Sequence, residues 1–378
     1  MPALGMGVVF SGPKGRGNVV LSRFGETARG VEAGGGDTEG NKGRPISLDR
    51  VKGWIPAWMM LYNVPGVSLA VIRGGRPGER AQFGLLASNA PWKVTEKSLF
   101  EACSMSKPLF SYAVLKLVER GALDLDRPLD SYLPSPYLPG ERWSGLVTAR
   151  MVLSHRTGLP NWRKGGWLGG GPLRFLCRPG SRFTYSGEGF TWLQTVVERI
   201  TGERMDAWME KTLLRPMGMV LSSYRWKRAF EPLYAHGHDK FGRLKNYAHY
   251  YRPNAAFSLY TTPAEYARFL AAMMDAHPSR PWQLRPGTRD LMVEGRLPGR
   301  VGTLRSLGFA VRPFPGGALV EHGGSNGAGF RCFSFFDPGK GKGLVIMTNS
   351  DSGRALYLRV LEALEPRYSS PAGEGKGG

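Results

Sequence analysis

The chain has 378 residues, 42% of them hydrophobic, which is enough for one large domain or two lobes with a sizeable core. Its formal net charge of +21 is scattered without a long run of like charges, so we expect no nucleic-acid partner. The three cysteines, Cys103, Cys177 and Cys332, argue against a disulfide framework and have no metal-ligand spacing, so we expect neither a metal nor another cofactor. No apolar run is long enough to span a bilayer, and the N-terminus lacks a signal-peptide pattern. We therefore predict a soluble, cytoplasmic protein, although an incorrectly assigned start codon could hide an export signal.

The N-terminal third begins without structure-forming patterns and then acquires them. Residues 1–46 contain 12 glycines and no sustained periodicity, which predicts a flexible segment. From Ser47 apolar residues recur at helical spacing, and the pattern predicts a helix that ends at the turn residues 63–66. Two β-rich runs at 67–73 and 81–87 flank a Gly/Pro-rich turn, which predicts an antiparallel hairpin.

The middle and the C-terminal part of the chain differ in their sequence patterns. Residues 122–300 combine helical periodicity with many turn signals, which predicts a mostly helical lobe. Short β-type runs then alternate with Gly/Pro turns, and an amphipathic helix at 354–364 follows them. The polar, Gly-rich residues 366–378 are predicted to form a flexible tail. The four β-type runs lie at 307–313, 318–322, 329–336 and 343–349.

Because strands occur near both chain ends and helices lie between them, the predicted fold class is α+β. We expect an antiparallel β-sheet that is built from both chain ends and flanked by terminal helices, with the mostly helical lobe inserted. One domain then spans 47–365. Ser104 would lie where its two lobes meet, which is a common place for a pocket.

The stretch around Ser104 carries reactive chemistry. Ser104 and Lys107 lie three residues apart, about one helical turn, so that their side chains project from one face. A serine hydroxyl needs a neighbouring base, and a lysine can serve when its ammonium is destabilised. Ser11 and Lys14 have the same spacing but lie in the Gly-rich segment without a helical pattern. On this stretch alone, an ordinary serine near a helix start is the alternative, and we read Cys103 as a small buried packing residue.

Two further short motifs follow along the chain, and the three together resemble one family. They are Ser104-Met105-Ser106-Lys107, Tyr185-Ser186-Gly187 and His322-Gly323-Gly324. In this order, with flanks such as 64–71, 153–160 and 214–219, the chain resembles the serine β-lactamase and penicillin-binding-protein superfamily, over about residues 47–365. The resemblance is to its class C-like branch, with the related esterases and D-amino peptidases. It implies the β-lactamase/transpeptidase-like fold.

The resemblance also implies catalytic roles. Ser104 would attack a carbonyl group and form an acyl-enzyme, while Lys107 and Tyr185 would share the proton transfers. Which of the two is the general base stays open. For Tyr185 the alternative is a buried packing tyrosine with its hydroxyl satisfied.

The third motif implies the substrate-binding side of the site. The backbone N–H groups of Ser104 and Ser325 would hold the oxyanion. Gly323 and Gly324 would let an extended substrate lie against the strand edge. His322 would line the site and bias the proton network electrostatically, and the alternative is a hydrogen-bonded strand histidine without a role in turnover.

One position departs from the family pattern. Gly187 stands where the motif often has Asn, so a donor to a substrate amide is missing, which favours esters or small amides over β-lactams. Glu188 is close in sequence and could supply a polar group. His155 is read as structural, fixing the loop before Gly158 and Pro160.

The sequence therefore predicts a serine hydrolase, an esterase or small-amide hydrolase whose partner is a small-molecule ester or amide. The alternatives are β-lactamase or D-amino peptidase/carboxypeptidase activity, a non-catalytic penicillin-recognising protein, and a nucleic-acid-associated protein that uses the +21 charge. The oligomeric state stays open. The candidate pocket-lining aromatic residues, which could equally be packing residues, are Trp162, Trp167, Tyr224, Trp226, Tyr250 and Tyr251.

Overall fold

The computed structural model describes residues 22–23, 26–27, 47–275 and 277–368. The predicted flexible segment 1–46 lies outside the described residues, except for two short antiparallel strands, β1 (Ser22–Arg23) and β2 (Glu26–Thr27). Most of the predicted tail lies outside them as well. Residues 366–368 form a further turn, so the described fold continues three residues beyond the predicted domain boundary.

An eight-stranded antiparallel sheet is built from both chain ends, which confirms the predicted fold class. Its strand order is β4-β3-β12-β11-β10-β9-β8-β7, so the N-terminal hairpin is joined to the C-terminal strands through the β3–β12 pair. β5 (Phe100–Glu101) and β6 (Tyr260–Thr261) form a separate two-stranded pair. The strands of the large sheet are β3 (Gly66–Arg73), β4 (Arg76–Gly84), β7 (Leu297–Pro298), β8 (Leu304–Arg305), β9 (Ala310–Phe314), β10 (Gly317–Ser325), β11 (Arg331–Asp337) and β12 (Lys342–Thr348).

Helices cover both faces of the sheet. α1 and α8, from the two ends of the domain, pack on one face, and α2 with the inserted lobe packs on the other. Among the described residues, no helix has the length and apolar character needed to cross a membrane. The helices are α1 (Leu48–Leu61), α2 (Ser106–Glu119), α3 (Ala149–Leu153), α4 (Glu188–Thr201), α5 (Met205–Met209), α6 (Pro263–Met274), α7 (Pro286–Val293) and α8 (Gly353–Leu364).

The central strand β3 shows why its sequence is an almost continuous apolar run. Its side chains alternate between the two faces, and both faces are buried. Val67, Leu69 and Val71 join the core beneath α1 and α8, whereas Ala70 and Ile72 join the core of the lobe side.

The hairpin of β3 and β4 differs from the prediction in its turn. Gly74 and Gly75 have φ of 56° and 69°, which gives a tight two-residue turn, so β4 begins at Arg76 and ends at Gly84 instead of spanning 81–87. The first half of β4 is an exposed edge that carries charged residues and Pro77. Because that composition resembles a loop, the apolar pattern placed the strand too late.

Candidate active site

Ser104 lies in a single 3₁₀ turn, Cys103–Met105, directly before α2, and not within the α-helix itself. Cys103 adopts a left-handed conformation with φ of 51°, which is uncommon for a residue other than glycine. Ser106 stabilises the turn, because its Oγ donates to the Cys103 carbonyl at 2.6 Å and accepts from the Leu259 N–H at 3.0 Å. Ser104 is partly exposed between buried neighbours. The turn therefore presents one hydroxyl from a rigid support.

Lys107 brings its amine to that hydroxyl. Although its side chain is buried, its Nζ donates to Ser104 Oγ at 3.2 Å and to the Ala256 carbonyl at 2.9 Å. The same Nζ lies 4.8 Å from the centre of the Tyr185 ring and 5.6 Å from that of Phe190. The structure thus brings together the predicted pair, and the lobe supplies most of the ammonium's contacts.

Tyr185 reaches the pair from the segment before α4. Burial raises the pKa of its phenol, whereas the charge of Lys107 and hydrogen bonds to Lys107 and Ser104 lower it. The lowering effects together exceed the effect of burial, so the pKa lies below its usual value of 10. A phenol of lowered pKa is suited to proton transfer near neutral pH. All three residues predicted to be catalytic are therefore in mutual contact.

His155 packs against Tyr185. Its ring stacks on the Tyr185 ring at 4.2 Å, and its Nδ1 accepts from the Ser186 N–H at 3.1 Å. Burial, together with the charges of Arg305 and Lys107, holds the pKa of His155 well below 6.5, so the ring is neutral. These contacts agree with the structural role predicted for it.

His322 is buried in β10 and is also neutral. Burial, followed by the charges of Arg305 and Lys107, holds its pKa well below 6.5. Its Nδ1 lies 2.8 Å from the Gly323 carbonyl, and a neutral ring makes this contact as a donor. His322 therefore contributes no positive charge to the proton network.

Arg305 of β8 supplies the second buried cation, and the sequence analysis missed it. Its Nε and Nη2 have no hydrogen-bond partner among the described residues, and its guanidinium lies 5.6 Å from the centre of the Phe183 ring. Burial lowers the pKa of Arg305 to about 10, so it remains charged. A single arginine in a two-residue strand carries no sequence signal for this role.

The end of β10 packs against the turn that carries Ser104. A Cβ atom on Gly324 would lie 2.4 Å from the Ala102 carbonyl oxygen, whereas one on Gly323 would meet nothing closer than 3.5 Å. Gly324 is thus needed for the approach of two backbones, and its role in admitting a substrate stays a prediction. β9 pairs with β10 only as far as Glu321, so residues 322–325 keep one edge unpaired among the described residues. Ser325 ends this edge and is exposed.

Gly187 is required by an aromatic neighbour. Its φ of −80° suits any residue, but a Cβ atom would lie 2.4 Å from the Trp162 ring. Trp162 packs on Phe257, which follows the Ala256 carbonyl that binds Lys107. The aromatic wall, defined here as Trp162, Trp167, Tyr250 and Phe257, is held together by ring contacts of Phe257 at 5.0–5.4 Å.

The other sequence candidates do not form part of this wall. Tyr224 and Trp226 are buried in the core, and Tyr251 is exposed. Glu188 is buried and accepts two hydrogen bonds of 2.9 Å from the Arg163 guanidinium, so it is not available to a substrate. Cys103 is fully buried, and this burial, followed by a hydrogen bond with Cys332, raises its thiol pKa well above 9. It is therefore a packing residue and not a nucleophile.

A buried carboxyl group, also missed from the sequence, precedes the serine turn. Glu101 accepts from the Tyr234 hydroxyl at 2.6 Å and from Asn326 Nδ2, but no cation bonds to it in the described part of the chain. Burial raises its pKa to about 7.

Within residues 47–275 and 277–368, no group of three or more His, Cys, Asp or Glu side chains is placed to hold a metal ion.

Comparison with known proteins agrees with this geometry. A family model described as Beta-lactamase matches residues 52–365. The esterase EstB of Burkholderia gladioli is 32% identical over 182 residues, covering 41% of this chain and 45% of the esterase, so the chain matches less than half of that relative. Two solved structures share the fold, each at 22% identity and over 84% of this chain: the D-alanine carboxypeptidase AmpC of Burkholderia cenocepacia (TM-score 0.70, 98% of that chain) and a class C beta-lactamase (TM-score 0.72, 96%). The family-model match confirms the predicted superfamily, and the two structures share the predicted fold.

The two glycines of β10 allow a matched test of the packing argument. Gly324→Ala should lower the free energy of unfolding by about 1–3 kcal/mol, because its methyl group would overlap the Ala102 carbonyl. Gly323→Ala, which has room for the methyl group, should change it much less. Chemical denaturation of both variants measures this, and equal losses would contradict the close approach at Gly324.

The buried carboxyl group predicts a pH dependence of stability. The pKa of Glu101 is about 7 in the folded protein against a usual 4.5, so its contribution is full below pH 4.5 and is lost as the pH rises through 7. The stability of wild type relative to Glu101→Gln should therefore fall by about 3 kcal/mol between pH 4.5 and 8. Denaturant titrations of both proteins across this range measure it. A difference that does not change with pH would show that Glu101 has an ordinary pKa.

Proposed function

The chain belongs to the beta-lactamase family, and we propose that it is a serine hydrolase that forms an acyl-enzyme on Ser104 and hydrolyses esters or small amides. The observation that carries the proposal is the contact of three groups: Ser104 Oγ, Lys107 Nζ at 3.2 Å, and the Tyr185 phenol of lowered pKa. A nucleophile with two proton-transfer groups in reach is what acyl transfer requires.

In the proposed reaction, Ser104 Oγ forms a bond to the substrate carbonyl carbon while its proton passes to the Lys107–Tyr185 pair. The pair then returns a proton to the departing alcohol or amine as the bond to the carbonyl carbon breaks. Water attacks the acyl-enzyme by the reverse sequence, which releases the acid and restores the Ser104 hydroxyl. The two buried cations, Lys107 and Arg305, stabilise the negative charge that develops in each step.

We assign the oxyanion to the backbone N–H groups of Ser104 and Ser325. Gly324 supports this assignment, because its close approach to the Ala102 carbonyl sets the end of β10 against the serine turn. The unpaired edge at 322–325 would lie beside the bound substrate. Donors on a strand and on a turn that are fixed in advance need little reorganisation when the charge forms.

The aromatic wall favours an ester with an apolar acyl group. Trp162 fills the space that a side chain at position 187 would occupy. At this position the site therefore presents an apolar ring where the family motif often has an amide donor. The adjacent Arg163 is neutralised by Glu188 and offers no free charge to a substrate carboxylate. Apolar rings with few polar groups are typical of pockets that bind apolar ligands.

Hydrolysis of short-chain nitrophenyl esters tests the nucleophile. Wild type should turn these esters over, and Ser104→Ala should lower kcat/KM at least about a thousandfold, because Ser104 carries the hydroxyl that contacts Lys107 Nζ. Cys103→Ala is the matched control on the neighbouring residue, and it should retain activity because the thiol is buried and protonated.

Two results would contradict the proposal: folded wild type that turns over no ester, or Ser104→Ala that keeps wild-type activity. In the first case, covalent labelling of Ser104 by a penicillin without turnover would favour the non-catalytic, penicillin-recognising alternative.

A double-mutant cycle tests the exchange at position 187. Gly187→Asn alone should lower ester kcat/KM about tenfold or more, because the new side chain must displace the Trp162 ring. In a Trp162→Ala background the same change should cost much less, since the ring is gone. Trp92→Ala, at an exposed tryptophan outside the aromatic wall, serves as the control background. Additive effects of the two substitutions would show that Trp162 does not determine the residue at 187.

A further inference from the structure

We propose that Glu101 is a positioning residue, which holds the oxyanion-binding end of β10 against the serine turn through its hydrogen bond to Asn326. The proposal rests on the serine hydrolase function above, because it concerns the placement of Ser325 relative to Ser104. Glu101 does not contact the reacting atoms, and it acts through the two backbone segments that it joins.

Glu101 is itself fixed to the turn that carries the nucleophile. It belongs to β5, where it pairs with Tyr260 of β6, and the next residue, Ala102, donates its N–H to the Leu259 carbonyl at 2.8 Å. Only Ala102 and Cys103 separate it from Ser104. The position of the Glu101 carboxylate therefore affects the position of the turn, because only two residues of backbone lie between Glu101 and Ser104.

Asn326 is fixed in the same way on the other side. It follows Ser325 and closes the connection between β10 and β11. Its Oδ1 accepts from the Phe330 N–H at 3.2 Å, and its backbone carbonyl accepts from Arg331 Nη1 at 2.8 Å. The orientation of its amide is thereby determined, and Nδ2 is directed to the Glu101 carboxylate. This hydrogen bond connects the two segments that carry the proposed oxyanion donors.

The chemistry of the site explains why the residue is a carboxylate. One oxygen accepts from the Tyr234 hydroxyl and the other from Asn326 Nδ2, so two acceptors are needed. A glutamine would offer one acceptor and one donor, and its donor would oppose Nδ2. Asn326 cannot turn its amide over without losing the bond from Phe330.

The surroundings give the carboxylate no compensating charge. The other ionisable groups that face it are Tyr250 and Tyr260 from the lobe, Cys103 from the turn, and Cys332 from β11. The cation in this region is Arg331, which is paired with Asp351 at 2.7 Å and also binds the Asn326 carbonyl. A carboxyl group without a paired cation is costly to bury in its ionised form, so stability alone does not account for a glutamate at this position.

A swap of the two side chains tests the proposal. In the double variant Glu101→Gln/Asn326→Asp, the introduced glutamine can accept from Tyr234 and donate to the introduced aspartate. The aspartate can still accept from the Phe330 N–H. The bonds to Tyr234, between positions 101 and 326, and from the Phe330 N–H are thus restored with the same total charge. The Tyr250 hydroxyl, which lies 3.4 Å from Asn326 Nδ2, can donate to the introduced aspartate. Glu101→Gln alone places two amide donors opposite each other, and Asn326→Asp alone places two carboxylates opposite each other.

With a short-chain nitrophenyl ester, each single variant should lower kcat about tenfold or more and change KM less than threefold, because the misplaced donors act in the transition state. The double variant should recover to within about threefold of wild type. Tyr234→Phe is the matched control. It removes the other bond of the carboxylate, so it should lower the melting temperature while leaving kcat close to wild type.

Two outcomes would overturn the proposal: single variants that lose thermal stability but keep kcat, or a double variant no more active than the weaker single one. If wild type hydrolyses no ester, the proposed function fails separately. The rate at which a fluorophosphonate labels Ser104, which also needs the oxyanion donors, then provides the same comparison, and equal rates in all variants would overturn the positioning role.

Discussion

The burial of the Lys107 ammonium is the constraint on which the rest of the structure depends. A desolvated cation is tolerated only where polar atoms replace its water. Ser104 Oγ and the Ala256 carbonyl accept from it, and the ring faces of Tyr185 and Phe190 lie over it. Three of these four partners belong to the inserted lobe, whereas the lysine follows the turn supported by the sheet. Satisfying this one charge therefore brings the two lobes together around the serine hydroxyl.

The charges near Ser104 form a consistent electrostatic pattern. Lys107 and Arg305 are buried cations, and both histidines, His155 and His322, are neutral because these cations and burial oppose their protonation. The group that benefits is Tyr185, whose phenol becomes easier to deprotonate. The same field favours an oxyanion on a bound carbonyl. His322 of the third motif is neutral, so the second positive charge comes from Arg305, which lies outside all three motifs in the sequence.

Features that depend on local pattern could be predicted from the sequence, and features that depend on tertiary contacts could not. The sheet from both chain ends and the Ser104–Lys107 pair followed from periodicity and spacing, the approach of Tyr185 followed from the family resemblance, and the structure has them. The tight turn before Arg76 was misplaced, because a charged edge strand resembles a loop. Glu101 and Arg305 were missed, because a carboxylate or a guanidinium acquires its significance only from burial without an ionic partner, which no sequence spacing reports.

Glycine in these motifs illustrates how one residue type can satisfy different physical demands. Gly324 allows two backbones to approach, so its requirement lies in the scaffold. Gly323 has room for a methyl group, so packing alone does not demand glycine there. At Gly187 the Trp162 ring occupies the space that a side chain would need, so an apolar surface lies where the family pattern often has an amide. Gly187 and the Trp162 ring are thus complementary in shape, although Trp162 lies in a loop outside the motif. Under the proposed function, the substrate preference of this chain depends on the ring and the glycine together, because the ring occupies the space beside position 187.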